Sequence, residues 1–67
     1  MVTIYKTKKN TIRNGESFIL SEFRGLSTDD KPTVFKDSNV DNGSVFIEIN
    51  TGDVYMYDLD SKTWEKV

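Results

Sequence analysis

Asp37, Asn39, Asp41 and Glu48 stand at positions 1, 3, 5 and 12 of an EF-hand-like calcium loop, where side-chain oxygens at that spacing can wrap a hard cation. The pattern then breaks. Position 6, which needs glycine for the sharp turn, is Asn42, with Gly43 one place late, and Val45–Ile49 has the character of a strand rather than of an exiting helix. A polar loop closed by a turn is the better reading. Catalysis has little to work with: the chain has no histidine and no cysteine, so a serine nucleophile would lack its commonest base. The carboxylates are scattered along loops and strand ends, and Asp58 and Asp60 flank a turn whose geometry they serve. No enzyme activity, metal or cofactor is expected. Tyr55, Tyr57 and Trp64 form the remaining constellation. Such a row can stack on a sugar ring or an unpaired base, or it can be the core of a sheet, which is the reading favoured in a chain this poor in apolar residues.

The elements that would place these residues are strands. Ser44–Val67 divides into three short antiparallel strands, with the middle one at Asp53–Asp58 and turns at Asn50-Thr51-Gly52 and Leu59-Asp60-Ser61-Lys62. A three-residue first loop, with Gly52 in the left-handed position, puts Ile49 opposite Asp53, Ile47 opposite Tyr55 and Val45 opposite Tyr57. The four-residue second loop puts Tyr57 opposite Trp64. One face would then carry Val45, Ile47, Ile49, Tyr55, Tyr57 and Trp64, and the other Phe46, Glu48, Val54, Met56, Asp58, Thr63 and Glu65. A two-residue turn at Thr51-Gly52 is the alternative, and it would set Val54 and Met56 beside the isoleucines.

Upstream, Val2–Thr7 alternates as a first strand, with Val2, Ile4 and Lys6 on one side and Thr3, Tyr5 and Thr7 on the other. Lys8-Lys9-Asn10 would end it. Asn14-Gly15 is a strong hairpin dipeptide and should join Thr11-Ile12-Arg13 to Glu16-Ser17-Phe18. Ser17–Arg24 fits a strand bracketed by Gly15 and Gly25; a short amphipathic helix capped by Ser17 is the alternative. Gly25–Gly43 is a long irregular segment with a short extended piece at Thr33-Val34-Phe35. Segments of that kind often carry contacts with partners. The expected fold is a single all-β domain over residues 1–67, a small antiparallel meander of about four or five strands ending in a three-stranded unit at residues 44–67.

Composition narrows the function classes. The chain has 67 residues, is 36% hydrophobic and 12% aromatic, and carries a net charge of −2. A domain of this length buries only about 60% of the surface its unfolded chain exposes. With no cysteine for a disulfide and no histidine for a zinc site, self-association is one route to further burial. The acidic balance argues against a nucleic-acid binder, and the lysines at Lys6, Lys8 and Lys9 suit a solvated edge strand. MVTIYKTKKN has no signal-peptide pattern, and no stretch is long enough to span a membrane. A virion or host-cytoplasmic location is expected.

Two stretches carry a family resemblance. Gly25-Leu26-Ser27-Thr28-Asp29-Asp30-Lys31-Pro32-Thr33 is followed by Gly43-Ser44-Val45-Phe46-Ile47-Glu48, by Thr51-Gly52-Asp53-Val54-Tyr55-Met56-Tyr57-Asp58 and by Lys62-Thr63-Trp64. This arrangement resembles small proteins of bacteriophages and prophages of Gram-positive bacteria, in which a GLSTDxKPT loop precedes a GSxFxExDTGxVYxYDxxxKTW hairpin unit. Asn50 stands where that family more often has Asp, and Lys36–Asn42 differs from its usual shorter connection. The resemblance implies a non-enzymatic structural or virion-assembly-associated protein that contacts other phage proteins or itself, and it carries over no catalytic residues. The alternative is a soluble β binding module for a sugar or a host protein. Candidate contact residues are Leu26, Asp29, Asp30, Lys31 and Phe35 in the irregular segment, with Tyr55, Tyr57 and Trp64 in the aromatic row.

Overall fold

A computed structural model describes residues 1–67 and is all-β, with seven strands and no helix. The first two strands, β1 (Thr3–Arg13) and β2 (Glu16–Gly25), form a long hairpin. Its turn is the expected one. Asn14 and Gly15 have φ of 52° and 79°, the pair of left-handed residues that a two-residue hairpin loop requires, and Arg13 pairs with Glu16 and Ile12 with Ser17. Residues 17–24 are therefore strand, and the helical alternative is excluded.

β1 departs from the expected alternation. It does not stop at Lys8-Lys9-Asn10 but continues as one strand, with register shifts at Tyr5 and Lys8. Each shift is a bulge that turns the following side chains over. Ile4 and Thr7 consequently both face inward, opposite Phe23 and Ser21, while Lys6 pairs with Glu22 on the outside.

β2 is the central strand. One edge pairs with β1, and the other is shared end to end by β4 (Ser38–Val40) and β5 (Val45–Glu48), both parallel to it. β3 (Val34–Phe35) pairs with β4, while β5, β6 (Val54–Asp58) and β7 (Thr63–Lys66) form the expected antiparallel C-terminal unit. Seven strands with two parallel joins thus replace a simple antiparallel meander of four or five. The reason is the path of residues 26–33, which carry the chain back so that β4 and β5 enter running the same way as β2. Part of the polar segment expected to be loop also becomes strand: Lys36 and Asp37, with φ of 47° and 66°, close a tight β3–β4 hairpin.

Between β4 and β5 the ladder to β2 is interrupted by Asp41–Gly43. Ser44, only 1% exposed, fills the gap. Its hydroxyl accepts from the Ser21 N–H at 3.2 Å and donates to the Ile19 carbonyl at 3.3 Å. A side chain thus replaces a missing backbone partner in a buried position where an orphan donor is costly.

The core lies on the inner face, where Ile19, Phe23, Val40, Phe46 and Tyr57 are buried. Trp64 is its hub, with ring centroids 5.0 Å from Tyr57, 5.9 Å from Phe46 and 6.2 Å from Phe23. Tyr57 lies opposite Trp64 as expected, but the β5–β6 register is corrected. Phe46, not Ile47, faces Tyr55, and Val54 faces Ile47. Tyr57 lies across from Ser44 rather than Val45, with the Tyr57 N–H donating to the Ser44 carbonyl at 2.8 Å. Closure between Glu48 and Asp53 leaves a four-residue loop, Ile49–Gly52. The physical cause is that Phe46 packs beside Phe23 on β2 while Glu48 must face inward to meet Lys31. Val45 and Ile47 are consequently turned to the outer face, and Ile49 lies exposed in the loop.

Candidate functional site

Each candidate contact residue has a definite place. Gly25 opens the irregular segment where a side chain cannot fit, since a Cβ there would lie 2.8 Å from the Phe46 ring and 3.1 Å from an Asp29 oxygen. Asp29 closes the following turn by accepting from the Leu26 N–H at 2.8 Å and from the N-terminal ammonium at 2.7 Å. The ammonium and that N–H hold its carboxyl below the ordinary aspartate value. Asn50 pins the same turn to the β5–β6 loop, accepting from the Ser27 N–H at 2.9 Å and donating to the Ser27 hydroxyl at 2.8 Å.

Lys31 is drawn inside. Its ammonium donates to Glu48 at 2.7 Å and lies 4.2 Å from the centre of the Tyr55 ring and 4.9 Å from that of Phe46. Glu48 also accepts from the Thr51 hydroxyl at 2.8 Å. Lys31 first, and then Thr51, hold the Glu48 carboxyl below its ordinary value. Such a buried pair adds little over a well-packed apolar pair, but removing one partner strands the other charge. It therefore works mainly to fix residues 26–32 on the sheet. One step further along the chain, the Trp64 indole N–H donates to the Pro32 carbonyl at 2.9 Å.

The structure thus brings together Lys31 with Tyr55, and Tyr57 with Trp64, while Phe35 reaches the same cluster through Phe23 at 5.3 Å. Leu26 and Asp30 are exposed. Asp29, Lys31, Tyr57 and Trp64 spend their polar or aromatic groups on internal contacts. Burial, and then Asp58, raise the Tyr57 phenol, so it stays protonated at neutral pH. The calcium-like set is dispersed. Glu48 is bonded to Lys31, and Asp41 accepts from Arg13 at 2.7 Å. Partial burial works to raise the Asp41 carboxyl, but Arg13 and the Asn42 N–H outweigh it and hold it low. No group of three or more Asp or Glu side chains is placed to share a metal ion.

The surface with unspent contact capacity is the outer face of the sheet. Cross-strand pairing aligns Lys6, Glu22, Val45, Met56 and Glu65 in one row over five strands, and Thr3, Arg24, Ile47 and Val54 in the next. Met56 is 50% exposed and the neighbouring Ile49 65%. Sequence reasoning missed this surface because it assigned Val45, Ile47 and Ile49 to the core. The usable signal was Phe46, whose large ring would otherwise have been left in water. No helix is long and apolar enough to cross a membrane. Comparison of the chain with protein-family models, with curated proteins and with solved structures finds no significant match.

Proposed function

We propose that the chain is a non-enzymatic structural or virion-assembly-associated protein of a bacteriophage or prophage, acting as a small interaction module through the outer face of its sheet. The observation that carries this reading is the aliphatic cluster of Val45, Ile47, Val54 and Met56 on the outer face, where Met56 is half exposed and the other three are partly exposed. A contiguous apolar cluster on an outer face is the kind of surface that marks contact with a partner. The GLSTDDKPT stretch supports the same assignment in another way. Its Gly25, Asp29, Lys31 and Pro32 are used to hold a scaffold together, so the resemblance to phage proteins rests on residues that specify this fold.

The test is composition of purified phage particles, or of prophage particles after induction, by mass spectrometry. The chain should be found in the particles, and a tagged Met56→Asp variant should be incorporated poorly while remaining folded. Particles that lack the chain would remove the virion role. A cell-lysate partner found in their place would favour the host-directed binding module.

A further inference from the structure

The outer face is electrically polarised across the strands. At the β1 margin stand Lys6 and Lys9, paired across to Glu22 and Leu20. At the opposite margin stand Asp58 and Glu65, paired across to Thr63 and Met56. The aliphatic cluster lies between. Turning one such face onto another about an axis along the strands sets each cationic margin over the other's acidic margin. An axis across the strands would instead set like charges together.

We infer that this face is a self-complementary interface through which two copies of the chain pack as an aligned β-sandwich about a two-fold axis parallel to β5. The row Lys6, Glu22, Val45, Met56 and Glu65 has Val45 at its centre, so the axis maps the row onto itself. Lys6 meets Glu65 of the partner subunit on both sides, while Val45 and Ile47 pack about the axis. Such an isologous contact closes at two copies. Glu22 and Arg24 are already paired at 3.2 Å, and the Arg24 guanidinium lies 3.7 Å from the centre of the Tyr5 ring. They enter the interface as a neutralised unit with apolar stems. Edge pairing at β1 is opposed by its lysines and its two bulges. The monomer buries only five hydrophobic residues, and a second copy supplies apolar burial that a chain of this size lacks.

This inference rests on the outer face being the contact surface and names its first occupant. It is tested on the full chain by sedimentation equilibrium and light scattering, with circular dichroism to verify folding. The wild type should have twice the monomer mass of 7.7 kDa. Lys6→Glu or Glu65→Lys alone should weaken the dimer about tenfold, and the double swap should restore it to within about threefold. Met56→Asp should leave a folded monomer. A monomeric wild type at about millimolar concentration would overturn the inference, as would a dimer indifferent to Met56→Asp or a double swap without recovery. A monomeric wild type whose incorporation into particles still depends on Met56 would refute self-association alone and leave the proposed function standing.

Discussion

Both faces of the sheet carry apolar residues, yet they are built from different residues for different ends. The inner face collects the rings of Phe23, Phe46, Tyr57 and Trp64 around a buried ion pair, whereas the outer face collects Val45, Ile47, Val54 and Met56 between charged margins. The rings lie inside because only they reach across the curl of the sheet, from β7 to β2 and from β3 to β2. The difference teaches that period-two alternation separates two faces without saying which is buried. That choice falls to long-range contacts, here Lys31 with Glu48 and the Trp64 indole with the Pro32 carbonyl.

The sharpest contrast comes from truncating matched positions on the two faces. Phe46→Ala, at a fully buried site, should cost about 3–5 kcal/mol, enough to unfold most of the population of so small a domain. Met56→Ala on the half-exposed outer site should cost about 0.5 kcal/mol or less at a dilution where the chain is monomeric. Urea unfolding followed by Trp64 fluorescence reads both, and comparable losses would erase the distinction between the faces.

A smaller effect should come from the plug between β4 and β5. Ser44→Ala leaves the Ser21 N–H without its acceptor and should cost about 1–3 kcal/mol. Amide exchange at Ser21 should accelerate more than at Phe23, which sits in the intact part of the ladder. Uniform acceleration would mean that the hydroxyl is not a local partner.

In the opposite direction, Lys36→Asn with Asp37→Gly should stabilise the chain by about 1 kcal/mol, because both positions hold left-handed backbone that the native residues adopt at a cost. A lower urea midpoint for this variant would show that the native side chains at the β3–β4 turn matter more than its backbone.

The acid response should be the most gradual. Asp29, Asp41 and Glu48 all have folded values held below the ordinary 3.8 for aspartate and 4.5 for glutamate. A depressed carboxyl contributes its full stabilisation above the unfolded value and loses it as pH falls through the folded one. The urea midpoint should therefore be flat from neutral pH to about 5 and fall below about 4. Glu48→Gln should be less stable at neutral pH and show a shallower fall in acid, and an unchanged acid limb would remove Glu48 from the account.

Much of this was legible in the chain, and what was not has physical reasons. Asn14-Gly15 announced its hairpin because two consecutive left-handed residues leave few other choices. The second C-terminal loop set Tyr57 opposite Trp64 as its length required. The first loop misled because Gly52 suits the end of a three- or a four-residue loop equally, and one residue of difference exchanges the faces. Asp37 is a turn former that tolerates left-handed backbone, but Lys36 before it is not, so the pair did not single out a two-residue hairpin loop within the polar run. The parallel joins of β2 with β4 and β5 are non-local pairings that no period in the sequence encodes. Contact candidates were drawn from the irregular segment and the aromatic row, but Asp29 and Lys31 use their charges within the fold, while Val45 and Ile47, assigned to the core face, lie on the outer one beside Val54 and Met56.

Which residues face one another across β5 and β6 decides which side of the sheet is core and which is free for contact. Interstrand nuclear Overhauser effects in the isotope-labelled chain measure this directly. Backbone contacts should link Phe46 with Tyr55 and Ile47 with Val54, and the Trp64 ring should contact Phe23 and Phe46. Cross-peaks linking Ile47 with Tyr55 and Val45 with Tyr57 would contradict this pairing, moving the branched aliphatics into the core and leaving the outer face without its contact surface.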